Sequence, residues 1–206
     1  MNYRKITSAL CIGMLSLAVI SPLLWAGEPG KLLMETIDKG FAILKDPSLK
    51  GDEKAQERRQ KLWEEISPIF NFEEMSKRAL GQHWKSRTPE EKKEFVELFT
   101  NIMKNAYIGK TDTYSGEKVV IISEKQDKNY ATVQTKIITN KRTEVSVDYN
   151  MLNNPGRWTI YDVIIEGVSL VNNYRSQFNN ILIKSSFKEL IQKIKEKKRK
   201  EETSTK

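Results

Sequence analysis

The sequence predicts an α+β fold: N-terminal helices packed on a curved antiparallel sheet of four to five strands, closed by a C-terminal helix. Three observations carry this. Apolar residues recur at helical spacing up to Tyr107 and at a period of two after Tyr114-Ser115-Gly116. The segments beyond that switch are joined by the short turn-like stretches QDKN, TNKR and NNPGR. Residues 158–178, WTIYDVIIEGVSLVNNYRSQF, then run a strand into an amphipathic segment with no breaking proline. Helices first, strands next and a closing helix is the α+β order.

Residues 1–26 have the form of a secretory signal peptide. Arg4 and Lys5 precede the apolar stretch 9–25, Pro22 interrupts it, and the small Ala26 stands before the polar Gly27 and Glu28, which places cleavage after Ala26. The stretch is short for a membrane span. Cys11, the only cysteine, lies inside it, so the exported chain is expected to lack thiols and disulfides.

Removal of the leader leaves 180 residues, one ordinary domain over 27–194 followed by a basic tail over 195–206. Loss of Arg4 and Lys5 lowers the formal charge from +8 to +6, and the tail, with six bases and three acids, holds half of that excess. The remaining body lacks the basic, aromatic-studded face that nucleic acid requires, and export argues against nucleic acid as well. The run KIKEKKRK reads as a solvated helix end passing into a disordered tail. A sharper alternative is weak attraction to anionic lipid headgroups, about 1 kcal/mol per base.

The first helix is expected over 31–45, with Leu33, Ile37, Phe41 and Leu44 on one face and Pro47 beyond its end. A second, over 53–66, carries Leu62, Trp63 and Ile66 and is stopped by Pro68. Asn71 caps a third, with Glu74 placed to reach back, Phe70 to staple onto Met75, and Gly81 at its end. Thr88, Pro89 and Glu91 open a long fourth helix whose face carries Phe95, Leu98, Phe99, Ile102, Met103, Ala106 and Tyr107. Strands are expected over 118–124, 130–139, 144–151 and 158–166, as a meander. In the third, Val145, Val147, Tyr149 and Met151 alternate with Glu144, Ser146, Asp148 and Asn150, leaving one face solvated. In the fourth, Thr159, Tyr161, Val163 and Ile165 alternate with Trp158, Ile160, Asp162 and Ile164. Both of its faces are largely apolar and need cover, from protein on both sides or from protein on one and an apolar ligand on the other.

Catalytic chemistry finds little support. His83, the only histidine, follows a helix end between Gln82 and Trp84 with no carboxylate offered by the pattern, which favours a surface or capping role. A single histidine, no cysteine outside the leader, no Asp-rich loop and no glycine-rich phosphate loop indicate neither a metal nor a cofactor. The enzymatic alternative is a small exported isomerase or hydrolase using Asp162 or Glu166 as a buried carboxylate of raised pKa. Against it stand an outward-facing Asp162 and a Glu166 held by backbone amides in the EGVS turn.

The segments FNFEEMSKRALGQHWKSRTPEEKKEFVELF, YSGEKV and IEGVSLVNNYRSQF, in that order, resemble the MlaC family of periplasmic phospholipid carriers, also called the toluene-tolerance auxiliary family. The similarity covers the chain from the leader to about Ile194. The resemblance implies a periplasmic protein with an apolar cavity between helices and a cone-shaped sheet, filled by lipid acyl chains. It implies traffic between an outer-membrane lipoprotein complex and an inner-membrane ABC transporter with its substrate-binding subunit, maintaining outer-membrane lipid asymmetry. A hopanoid-associated branch is similar, so hopanoid or another hydrophobic ligand is an alternative cargo. The basic C-terminal extension departs from the family pattern.

Strand faces sort the candidate pocket. Val145, Val147 and Tyr149 look inward, Val133 and Ile137 extend that surface, and strict alternation sets Tyr161, Val163 and Ile165 beside them. Phe95, Phe99, Ile102, Met103 and Tyr107 would close the cavity from the long helix, and Val168, Val171, Tyr174 and Phe178 from the last segment. Such stripes are ordinarily solid core, which would fit a pure adaptor; it is the resemblance that implies a hollow one. Tyr174 and Arg175 are candidate headgroup-rim residues, although Arg175 could equally pair with Glu166 or Asp162. Nothing indicates an oligomer, and a monomer is the default.

Overall fold

The computed structural model describes residues 27–108, 111–112 and 114–204. The leader with Cys11 and the side chain of Tyr107 lie outside them. The α+β architecture is as expected, with six α-helices among the described residues and one five-stranded antiparallel sheet in the order β1-β2-β3-β4-β5. No described helix is long and apolar enough to cross a membrane.

Helix α1 (Glu28–Lys45) starts earlier than expected, because Pro29 is tolerated in a first turn, where no N–H is needed. Pro47 ends it, and Asp46 caps the single turn that follows by accepting from the Ser48 N–H at 2.8 Å. Helix α2 (Ala55–Ile66) crosses α1 closely at Gly40, where an added Cβ would stand 3.3 Å from Leu62 and 3.5 Å from Ile66. Helix α3 (Phe72–Leu80) is capped by Asn71, which accepts from the Glu74 N–H at 2.9 Å. The Glu74 carboxylate does not reach back; it takes Lys77 and Arg78 instead, at 3.1 and 2.9 Å. At α4 (Pro89–Ile108) the reciprocal box is complete, with Glu91 N–H to Thr88 Oγ1 at 3.2 Å and Thr88 N–H to Glu91 Oε2 at 3.0 Å. After α4, Asp112 is held by Arg58, at 2.9 Å, and Arg59. Burial pushes the Asp112 carboxyl up, but the two guanidiniums outweigh it and leave the group below its usual range.

Strands β1 (Lys118–Asp127), β2 (Tyr130–Ile138), β3 (Glu144–Asn154) and β4 (Arg157–Ile165) form the meander, and β5 (Val168–Ser169) folds back on β4. Two bulges interrupt the register, one between Ile121 and Ser123, the other between Asn150 and Met151. The second corrects the alternation expected of β4. Met151 pairs with Ile160 and Asn150 with Asp162, so Tyr161 is the extra residue and the face switches there. Ile160 and Val163 both face inward, while Tyr161 lies under the Arg78 guanidinium, 4.1 Å from its ring centre, and edge-on to Tyr130.

Helix α5 (Leu170–Leu182) follows, capped by Ser169, whose Oγ accepts from the Asn172 N–H at 3.0 Å. Helix α6 (Phe187–Ser204) contains the whole run KIKEKKRK, expected as a helix end, and continues through most of the stretch over 195–206 that the sequence suggested as a disordered tail. Both faces of β4 are covered by protein, α1 lying on one and α3 with α5 on the other.

The apolar interior is in two parts. One lies among α3, α4, α5 and α6 and centres on Phe95, Phe99, Phe178 and Leu190. The other lies between α1 and the inner sheet face, with Leu33, Ile69, Val133, Val147, Met151, Trp158 and Ile160.

Candidate functional site

The two interiors differ in how completely they close. In the helical one Phe95 and Phe99 are fully buried, and their rings meet Phe178 edge to face at 5.5 and 5.9 Å. Met103 and Val171 are buried in the same cluster, with Ile102 and Tyr174 half-buried at its border. A groove of about 70 Å³ lined by Ile102, Asn105, Ala106 and Tyr174 opens there, well below the 300–1,000 Å³ usual for ligand pockets.

The sheet-side interior is graded. Cross-strand partners share a face, so the inner surface can be followed row by row. In the row Ala131, Met151, Ile160 every side chain is buried. One row on, Val133 and Val163 are buried but Tyr149 between them is only half so. In the next, Thr135 and Val147 are buried while Ile121 and Ile165 are half-exposed and Val168, paired with Ile165, is 55% exposed. In the last, Val119, Ile137 and Val145 are all half-exposed. Helix α1 repeats the trend, with Pro29, Gly30 and Leu33 buried at its start and Ile37, Phe41 and Leu44 only half-buried beyond. The Phe41 ring packs at a tilt against Tyr114, near the start of β1, so helix and sheet uncover toward the same end. The result is an apolar wedge, shut at Met151 and open at Val145.

Tyr149 stands in the middle strand of the five. Burial alone pushes its phenol up to about 12, yet part of the side chain keeps accessible surface, and its hydroxyl makes no hydrogen bond among the described residues. Tyr149 is thus deep in the fold and still partly uncovered. The one polar group in the adjacent buried row, the Thr135 hydroxyl, is satisfied internally by the Val147 carbonyl at 2.8 Å, so that row presents an apolar surface.

The sequence-predicted residues therefore divide. Val133, Ile137, Val145, Val147, Tyr149, Val163, Ile165 and Val168 lie on the inner sheet face. Phe95, Phe99, Ile102, Met103, Val171, Tyr174 and Phe178 belong to the helical cluster, and Tyr161 lies on the outer face. Arg175 packs over Gly81, with its Nε 2.9 Å from where a Cβ would stand. Leu32, Leu33 and Ile37 of α1, with Ile121 and Leu170, complete the wedge and were not selected from sequence. In Ile121 the signal was masked, since Val119-Val120-Ile121-Ile122 is apolar throughout and shows no alternation.

The carboxylates considered for catalysis have structural partners. Asp162, 7% exposed, accepts from Ser169 Oγ at 2.6 Å and from the Val171 N–H at 3.1 Å, which ties β4 to the start of α5. Glu166 accepts from the Ser146 N–H. His83 Nε2 lies 3.1 Å from Asn179 Oδ1, joining the end of α3 to α5.

Comparison with known proteins places this arrangement. The structure superposes on the phospholipid-binding protein from Ralstonia solanacearum, solved in complex with a phospholipid, with a TM-score of 0.77 and 23% identity, covering 85% of this chain and 99% of that one. In sequence, the chain is 25% identical over 174 residues to the intermembrane phospholipid transport system binding protein MlaC of Haemophilus influenzae, covering 82% of this chain and 81% of that one. It is also 25% identical over 115 residues to toluene tolerance protein ttg2D of Pseudomonas putida, covering 55% and 54% of the two. The family model described as MlaC protein matches residues 34–196. With most of the chain inside that match, and with the fold of a phospholipid-binding relative, the protein belongs to the MlaC family.

Proposed function

We propose that this protein is a periplasmic phospholipid carrier that holds acyl chains in the wedge between α1 and the inner sheet face. The graded uncovering of that face carries the reading, because apolar side chains left half-exposed around a deep phenol need an apolar occupant. The named activities of the relatives agree with it. The headgroup is placed at the open end, beside Lys141 and Arg142 on the β2–β3 turn, where a phosphate finds exposed cations. That end suits a headgroup better than α5, where Tyr174 packs edge-on to Phe99 and Arg175 covers Gly81.

Energetics set the mechanism. Each lipid methylene left in water costs about 0.8 kcal/mol, so two bare acyl chains cost on the order of 20 kcal/mol or more. Passage from bilayer to wedge exchanges one dry environment for another, so the net change is small and direction comes from the docking partners. These are an outer-membrane lipoprotein complex and an inner-membrane ABC transporter with its substrate-binding subunit, and the exchange maintains outer-membrane lipid asymmetry. No covalent step is assigned to this chain.

Native mass spectrometry of the chain from Gly27 onward, before and after organic extraction, tests the reading. One added phospholipid mass per chain is expected. A hopanoid-sized mass would change the cargo, and a chain that stays bare after incubation with liposomes would leave the wedge as ordinary core.

A further inference from the structure

We propose that Glu124 receives the charged amino terminus created when the leader is removed after Ala26, and that this ion pair positions α1 as the wall of the apolar wedge. Glu124 is paired with Val133 in β1 and so faces inward, in the row that contains Tyr149. The carboxylate is half-exposed, beside the fully buried Val133. No lysine or arginine among the described residues pairs with it. Its Oε2 instead accepts from the Gly27 N–H at 2.9 Å and the Gly30 N–H at 3.1 Å, clasping the first turn of α1.

Two features tie this clasp to residue 27 itself. A Cβ there would overlap Glu124 Oε1, so a larger residue would turn the flexible end of the carboxylate away from the residue 27 nitrogen. Pro29, between the two donors in sequence, is buried and has no N–H to leave unsatisfied. While the leader is attached, the Gly27 nitrogen is an uncharged amide. Hydrolysis adds water across the Ala26–Gly27 bond; the new carboxylate departs on Ala26, and the Gly27 amine takes up a proton, being mostly an ammonium at neutral pH. An ammonium at a helix start is opposed by the helix dipole. Glu124 answers both charges at 2.9 Å. Because the clasp lies two turns or fewer before Leu33, it sets the closed end of the wedge, and the rest of α1 extends from it over the open end.

The lipid-exchange readout rests on the carrier reading, whereas the stability readout does not. The test uses the exported protein, its start at Gly27 checked by intact mass, as wild type and Glu124→Gln, each with a free or an Nα-acetylated terminus. Glutamine keeps an oxygen to accept the N–H groups and acetyl-Gly27 keeps an N–H to donate, so each change removes one charge only. Either change alone should lower the Tm of the delipidated protein by about 2–4 °C and speed phospholipid transfer to phosphatidylethanolamine–phosphatidylglycerol vesicles about threefold. The two together should do no more than one, because the second acts on a pair already broken. Additive losses, a free and an acetylated terminus of equal Tm, or an exported chain starting elsewhere would overturn the proposal. A lipid-free wild type that still shows the non-additive Tm cycle would instead sink the carrier reading and leave the ion pair standing.

Discussion

The helical interior and the sheet-side wedge are built from the same kinds of side chain, yet one is closed and the other open. Around Phe99, aromatic rings from α4 and α5 meet edge to face and α6 covers them from outside. Around Tyr149, three strands present an equally apolar surface to one helix that follows it only part of the way. The difference teaches that apolar content does not distinguish a core from a binding site. The number of elements converging on a residue does, since a sheet face is filled only where something packs on it.

Substitutions should separate the two regions. The largest effect is expected in the helical interior, where Phe99→Ala removes a fully buried ring and should cost about 3–5 kcal/mol. Its Tm should fall by roughly 10 °C, with the lipid bound per folded chain unchanged. Lost lipid at an unchanged Tm would move the site to α4 and reverse the comparison. A paired substitution is sharper. Val171→Trp overfills the closed region and should cost about 1–3 kcal/mol while leaving lipid occupancy alone. Val145→Trp at the open end should shift the Tm by less than about 2 °C and lower occupancy several-fold, read by native mass spectrometry.

A smaller effect should follow Asp162→Asn on the outer face, where a charged acceptor at the start of α5 becomes neutral. The expected loss is about 1 kcal/mol, seen as a Tm lower by a few degrees, with lipid content unaltered. The smallest is a titration. With its phenol pushed up to about 12, Tyr149 should stay protonated after the exposed tyrosines have ionised. Its contribution to stability is whole below the unfolded value near 10 and is lost as pH rises through about 12, because there the unfolded chain binds fewer protons. Phenolate absorbance of Tyr149→Phe should lack a late step present in the wild type, and a step missing near pH 10 instead would place Tyr149 in solvent.

Much of the fold was legible in the sequence because the signals are short-range. Asn71 before α3 and Thr88-Pro89 before α4 each act within a few residues, and the helix starts they imply are found in the structure, while β3 runs three residues past its expected end, into the NNPGR stretch. The alternation of Val145, Val147 and Tyr149 is a local property of an extended chain, and so is their common face. The inner face of β4 was legible for Val163 and Ile165, whereas Trp158 and Ile160, expected on the opposite face, join them across the bulge. Whether Tyr161 follows the alternation depends on a bulge that forms between two strands, and no residue in β4 alone announces it.

The sequence by itself determined which residues are apolar, where most helices and strands begin, and which side chains share a face within an unbulged strand, because propensity, capping and periodicity operate over one or two turns of chain. Only the tertiary structure decided that Phe95, Phe99 and Phe178 close on one another while Val145, Ile137 and Ile165 remain partly uncovered. It alone brought Glu124 to the first turn of α1, 97 residues from Gly27. Burial and long-range pairing depend on which elements converge at a point in space, and that convergence is a property of the whole packed chain.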